Sequence, residues 1–121
     1  MEDLKKDVIY GFLRLRITNE YTLSELTDCA LIRELHVYGF NTAVGTQAVA
    51  SQHRGIGKKL LQKAEHIAFM NFWPGIAVIS GEGVKLYYEK LGYSEHKTYM
   101  IKYFWLIRLM SIFLSFFMRL F

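Results

Sequence analysis

The 121-residue chain has a single cysteine, Cys29, and a single proline, Pro74. One cysteine excludes an internal disulfide, a cysteine-rich zinc site and a cysteine-ligated iron–sulfur cluster built by this chain alone. The lack of disulfides fits a reducing compartment. Cys29 stands between Asp28 and Ala30 at the head of an apolar run and reads as a buried small hydrophobe. The opening MEDLKKDV is charged and carries no apolar stretch, so a secretory leader is not expected. His66 and His96 show no ligand spacing, and no metal site is expected. Internal repeats, linkers and low-complexity segments are absent. An excess of one charge sign is also missing from most of the chain. The net charge is +4, but Arg108 and Arg119 lie in an apolar tail, and residues 1–102 hold 13 Lys and Arg against 11 Asp and Glu. That balance suits an anionic ligand or a weak polyanion contact and equally an ordinary mixed surface.

The length is that of one domain, enough for a real core and too little for two. Hydrophobic residues make up 52%, and the surplus sits in residues 103–121. Val8–Ile17 alternates in its second half and reads as a strand, as does Ala30–Tyr38. In the latter, Leu31, Arg33, Leu35 and Val37 fall opposite Ile32, Glu34, His36 and Tyr38. Residues 39–53 read as a loop. Gly55–Asn71 is the clearest helix, with Ile56, Leu60, Leu61, Ala64, Ile67 and Ala68 at helical spacing. Trp73-Pro74-Gly75 stops it, and Trp73 is expected to pack at its end. Ile76–Ile79 is a short apolar run of the buried-strand type. Val84–Leu91 reads as a short helix ended by Gly92, and Tyr93–Lys102 as a last strand. Strands and helices in that order make an α/β fold with a mixed sheet.

Residues 51–59 read SQHRGIGKK, placing Gly55 and Gly57 where a loop after a strand opens a helix. A helix start presents unpaired N–H groups and the positive end of the dipole. Glycine, with no Cβ, lets a phosphate approach them, and Lys58 and Lys59 add charge. The dinucleotide pattern G-x-G-x-x-G fails because position 60 is Leu, and no P-loop is present. What remains is Q-x-x-G-x-G.

That pattern, Gln52 to Gly57, resembles the acetyl-CoA signature of the GNAT acetyltransferase superfamily. IRELHVYG at 32–39, IAVISGEGVKLYYEKLGY at 76–93, RLR at 14–16 and YM-x-K at 99–102 resemble the C-terminal acetyltransferase domain of the Elongator catalytic subunit, a tRNA wobble-uridine acetyltransferase. The likeness covers about residues 2–102. It implies a GNAT-like mixed sheet with flanking helices and two splayed central strands that admit pantetheine. It also implies acetyl-CoA contacts at Glu34, Leu35, His36 and Val37, at Gln52, Arg54 and Gly55, and at the amides around Ile56, Gly57 and Lys58. Tyr88 is implied near the thioester as a proton or hydrogen-bond donor to the departing thiolate. Partners implied are acetyl-CoA, tRNA and other Elongator subunits, in the cytoplasm or the nucleus. The family's radical-SAM half, with its cysteine cluster, has no counterpart here, so the complete wobble-uridine reaction is not expected of these residues. A non-catalytic acetyl-CoA- or partner-binding remnant and a free-standing amine N-acetyltransferase stay open as alternatives. Leu86 stands where the family often has Asn.

The residues themselves suggest plainer roles beside these. Tyr87 pairs with Leu91 at i,i+4 and is expected in the core, leaving Tyr88 for the site. Glu34 and His36 share a strand face and read as a surface pair, the cofactor meeting mainly backbone. Arg54 is either solvated or within reach of a phosphate. The tail, YFWLIRLMSIFLSFFMRLF, is expected to be an apolar helix. As 19 helical residues it would be ~28 Å long, close to a ~30 Å bilayer core. A C-terminal membrane anchor, an in-plane membrane helix, a helix packed on the rest of a larger enzyme and a non-native segment all fit it.

Overall fold

Ile76, Ala77 and Val78 have no polar neighbour in sequence, and their strand, β5 (Gly75–Ile79), lies at the centre of a five-stranded sheet. Strands buried on both faces carry such uninterrupted apolar runs. The computed structural model describes residues 1–5, 8–17, 26, 28–38 and 55–120. In it β5 runs parallel to β4 (Cys29–Val37) and antiparallel to β7 (Tyr99–Tyr103). The edges are β3 (Gly11–Arg16), antiparallel to β4, and β6 (Ser94–His96), antiparallel to β7. The order is therefore β3-β4-β5-β7-β6, a mixed sheet with one parallel pair at its centre. A separate two-stranded ribbon, β1 (Glu2–Asp3) and β2 (Val8–Ile9), precedes it.

Helix α1 (Ile56–Met70) buries Ile56, Leu61, Ala64 and Ala68. Two alanines on that stripe let the helix lie close to the sheet. There it meets Ala30, Ile32, Ile76, Val78 and Met100, joined by Tyr88 of the short helix α2 (Lys85–Lys90) and by Tyr93. A 3₁₀ turn, Glu82–Val84, leads into α2. Leu26, Cys29, Leu31, Ala77 and Ile101 form a smaller core on the other face. Burial and the neighbouring Asp28 push the Cys29 thiol up to about 11, which suits an inert core residue. Gly11 is required at its position. A Cβ there would stand 2.7 Å from the His36 carbonyl oxygen and 3.2 Å from Ile56 Cγ2, so any side chain would push α1 off the sheet.

Three expectations change. Val8–Ile17 is not one strand: the chain breaks at Tyr10, whose N–H donates to the Met1 carbonyl at 2.9 Å. Tyr93–Lys102 is a hairpin, turning at Lys97 in the left-handed region (φ 56°). No glycine or proline marks that turn. Most consequentially, β4 does not alternate strictly. Arg14 pairs with Glu34 but the next residue, Leu15, pairs with Ile32, leaving Arg33 as a bulge. The extra residue reverses the faces beyond it. Leu31 therefore packs in the smaller core while Leu35 packs against the α1 side.

Helix α1 ends in a Schellman arrangement: the Trp73 N–H donates to the Ala68 carbonyl and the Phe72 N–H to that of Phe69, both at 3.0 Å. Phe72 occupies the position normally held by glycine, at φ 61° and 71% exposed. A left-handed non-glycine residue costs roughly 1–2 kcal/mol. Phe72→Gly is expected to raise stability by about 1 kcal/mol, read as a higher denaturation midpoint in urea. A lower midpoint would show that the ring's contacts outweigh the strain.

The tail is shorter as a helix than the full run of apolar residues suggests. Tyr103 completes β7, and Phe104 packs edge-on against Phe69 at 5.9 Å while its N–H donates to the Pro74 carbonyl at 2.8 Å. Helix α3 (Trp105–Arg119) follows. Ile107 is buried, the Arg108 guanidinium stacks 4.4 Å above the Tyr103 ring, and Trp105, Ile112, Phe113, Phe116 and Met118 are exposed. Fifteen residues span ~22 Å, and no helix among the described residues is long and apolar enough to cross a membrane. The sheet takes the first residues of the tail, Tyr103 pairing within β7.

Candidate functional site

The last parallel pair between β4 and β5 is Ile32 with Val78. β4 continues through Glu34, Leu35, His36 and Val37, paired with β3 on one side but no longer with β5. The bulge at Arg33 sits at the parting, and bulges bend a strand and increase its twist. The consequence, among the described residues, is a stretch of β4 from Glu34 to Val37 with no strand paired to it on the β5 side.

The start of α1 stands beside this opening. Gly55 caps the helix at φ 81°, with no side-chain cap, and its carbonyl accepts from the Lys59 N–H at 2.9 Å. That left-handed turn is why position 55 is glycine. Position 57 is glycine for a different reason, closeness. A Cβ there would stand 3.3 Å from the Tyr87 hydroxyl and 3.5 Å from Val37 Cγ2. So the helix start, the end of β4 and α2 converge on one crevice. The first-turn amides of Ile56, Gly57 and Lys58 have no partner within the helix, and the first turn holds no acidic residue. Lys58 and Lys59 lie exposed beside them. Helix termini of this kind, with free amides and no acidic residue in the first turn, are suited to anions.

Of the residues singled out in the sequence, Glu34 to Val37 and Gly55 to Lys58 come together here. Leu35 and Val37 point towards α1. Glu34 and His36 occupy the opposite face, where Arg14 Nη2 lies 3.3 Å from Glu34 Oε2 and His36 stacks on Phe12. The surface-pair reading of Glu34 and His36 becomes two separate contacts, because each finds its partner on β3. Gln52 and Arg54 lie outside the described residues.

The burial of the two tyrosines is the reverse of expectation. Tyr88 is the core residue, 6% exposed, while Tyr87 is 40% exposed. The i,i+4 pairing with Leu91 fails as a guide because α2 ends at Lys90. Gly92 then turns the chain so that the Tyr93 N–H donates to the Tyr88 carbonyl at 3.1 Å. The Tyr93 ring consequently packs edge-on against Tyr88 at 5.5 Å, and Tyr87 packs on its other side at 5.3 Å. Burial raises the pKa of both Tyr87 and Tyr88, with the Tyr87 hydroxyl adding to the effect on Tyr88. Tyr87 is thus a residue of the crevice that helical pairing concealed; its only sequence signal was adjacency to Tyr88.

Behind the crevice, the Tyr93 hydroxyl donates to Glu65 Oε1 at 2.9 Å, and the Lys102 ammonium to Glu65 Oε2 at 3.3 Å and the Leu91 carbonyl at 3.0 Å. This network ties α1, α2 and β7 together. Burial, then the Glu65 carboxylate, drives the Tyr93 pKa far upward. A raised folded-state pKa gives stability that is complete below the unfolded value of ~10 and lost as pH rises beyond it. Wild type is therefore expected to lose stability above about pH 10, and Tyr93→Phe to lose less of it there, in thermal melts across pH 8 to 11. Parallel pH profiles would remove Tyr93 as the cause. A cavity of about 710 Å³ lies elsewhere, between Phe72 and α3, far from the helix start.

No family model matches the chain. Comparison with known proteins finds Elongator complex protein 3 of Schizosaccharomyces pombe, 44% identical over 107 residues, covering 84% of this chain and 20% of that protein. The tRNA uridine(34) acetyltransferase of Methanocaldococcus jannaschii is 42% identical over 106 residues, with the same coverage of each. Among solved structures, the archaeal Methanocaldococcus infernus Elp3 with an N-terminal deletion superimposes with a TM-score of 0.73 at 40% identity, covering 85% of this chain and 25% of that one. The chain spans about a fifth of the length of the curated relatives it matches. With this identity, the parted central strands and the helix opened by Gly55 and Gly57, the chain belongs to the Elongator complex protein 3 and tRNA uridine(34) acetyltransferase family, as a counterpart of its GNAT-like C-terminal region.

Proposed function

We propose that this chain is the acetyl-CoA-binding acyltransferase domain of an Elongator-type tRNA wobble-uridine modifying enzyme, working with radical-SAM chemistry that its own residues do not carry. The observation that supports this best is the parting of β4 from β5 after Ile32 and Val78, directly beside a helix start whose positions 55 and 57 are glycines. The residues present are compatible with the group: a Cβ on Gly55 would meet nothing within 4 Å, and the bare Gly57 backbone lies beside the Tyr87 hydroxyl and Val37, 3.3 and 3.5 Å from where a Cβ would stand. In this reading the amides of Ile56, Gly57 and Lys58 hold the pyrophosphate, helped by Gln52 and Arg54. The β4 edge from Glu34 to Val37 holds the pantetheine amides. Acetyl-CoA supplies an activated acetyl thioester. An N–H of β4 is placed to polarise a carbonyl there. Tyr88, kept protonated by burial, is the proposed proton donor, with Tyr87 positioned beside Gly57. The partners are tRNA and Elongator subunits, which places the domain in the cytoplasm or nucleus. The test is acetyl-CoA binding by calorimetry, then thioester hydrolysis with and without tRNA. Binding with tRNA-stimulated hydrolysis supports the proposal. Binding without any turnover supports a non-catalytic module, and acetylation of simple amines a free-standing N-acetyltransferase.

The cofactor-binding unit is proposed to be residues 1–102, closed by Tyr103 and Phe104, with 103–121 as an apolar tail. The exposed apolar face of α3 favours in-plane contact with a membrane surface over crossing it. A chain cut after Phe104 is expected to fold, bind acetyl-CoA and stay off liposomes in flotation, whereas the full chain floats. Unfolding of the shortened chain would make α3 part of the domain.

A further inference from the structure

On the sheet face turned away from α1, three rings gather where β3 and β4 run past the bulge. Phe12 and His36 stack nearly parallel, 5.9 Å between centroids and 20° between planes. Tyr38 lies 5.2 Å from His36 and 6.3 Å from Phe12. Rings assembled for a core would be covered, yet Phe12 is 37% and Tyr38 45% exposed. Arg14 and Arg16 follow Phe12 at two-residue spacing and so extend the same face. Glu34, the acid beside them on β4, is engaged by Arg14, whose side chain is still 67% exposed. The bulge at Arg33 is what turns His36 onto the side of Phe12 and away from the helix.

We propose that the Phe12–His36–Tyr38 cluster is a stacking platform for a nucleobase of single-stranded RNA, with Arg14 and Arg16 taking the adjacent phosphates. Exposed rings set in a cationic strand surface are the recognition chemistry of unpaired nucleotides: each base offers a π-face and each linkage a negative charge. Arginine suits it because its planar fork both stacks and pairs with phosphate oxygens. An acidic or purely apolar peptide would satisfy one half of the patch and leave the other unmatched. The inference rests on the acetyl-CoA reading above for its meaning. His36 belongs to the stretch of β4 that has left β5, so a base stacked on it lies at the same opening as the glycine-opened helix start, but on the other face. Cofactor and acceptor would then reach the opening from opposite sides of the sheet.

The test measures fluorescence anisotropy of a labelled decauridine RNA at low salt, alongside acetyl-CoA calorimetry on the same chains. Wild type is expected to bind the RNA. Phe12→Leu and Tyr38→Leu should each weaken it about fivefold or more, the scale of one lost base stack, while Phe12→Tyr keeps it. Arg14→Gln should flatten the salt dependence. All variants should keep wild-type acetyl-CoA affinity. If Phe12→Leu fails to fold, Tyr38→Leu decides, since Tyr38 lies beyond the end of β4. Wild type binding acetyl-CoA but no decauridine, or both leucine variants binding decauridine like wild type, overturns the platform and leaves the cofactor reading standing. Ring-dependent RNA binding without acetyl-CoA binding does the reverse.

Discussion

Gly57→Glu is expected to abolish acetyl-CoA binding while leaving the fold intact. Position 57 is the second residue of α1, and its Cα faces the crevice between Val37 and the Tyr87 hydroxyl. A glutamate there puts a carboxylate among the amides proposed to hold a pyrophosphate. Two like charges about 4 Å apart near a protein surface repel by about 4 kcal/mol, which is roughly a thousandfold in affinity. The folded state should tolerate the change. Glutamate is favoured over glycine within a helix by propensity and is welcome at its positive end. The one close contact, 3.3 Å from a built Cβ to the Tyr87 hydroxyl, falls on a half-exposed side chain that can move. Calorimetry should show no heat of binding, with an unchanged circular dichroism spectrum. A folded Gly57→Glu chain that binds as wild type does would place the pyrophosphate elsewhere.

The second large effect is on stability. Tyr88→Ala removes a buried ring from the junction of α2 with the α1-side core and leaves Tyr93 and Tyr87 without the ring between them. Truncating a buried aromatic costs roughly 3–5 kcal/mol. For a domain of this size that is a fall in melting temperature of about 12 °C or more. Tyr87→Ala, at an exposed position, should cost about 1 kcal/mol or less. Equal melting shifts for the two would contradict the burial described above. Tyr88→Phe separates packing from chemistry: it keeps the ring, so it should melt near wild type while losing the tRNA-stimulated thioester hydrolysis proposed above. If Tyr87→Phe is the variant that loses that hydrolysis, the hydroxyl beside Gly57 is the proton donor, and Tyr88 is core alone.

Periodicity and glycine placement carried much of this fold in the sequence. The α1 stripe, the apolar run of β5 and the glycine-opened helix start are each set by neighbours three or four residues away, so they are legible without a structure. The motifs RELHV and Q-x-x-G-x-G likewise pointed to the β4 edge and the α1 amides that the fold brings together. Three features were decided only in three dimensions. The bulge at Arg33 exists because β3 pairs Leu15 with Ile32 after Arg14 with Glu34, a register no single strand encodes. It alone assigns Leu35 to the helix side and His36 to the ring cluster. The reversed burial of Tyr87 and Tyr88 follows from Tyr93, which lies outside α2 and is returned to it by the turn at Gly92. The tail was judged by its own composition, but β7 needed Tyr103 to face Gly75 and Phe104 to cover Phe69. Local pattern therefore determined which segments become strands and helices and which helix start is opened by glycines. Non-local pairing decided which side chains face the crevice, because a one-residue shift in register turns every following side chain to the other face.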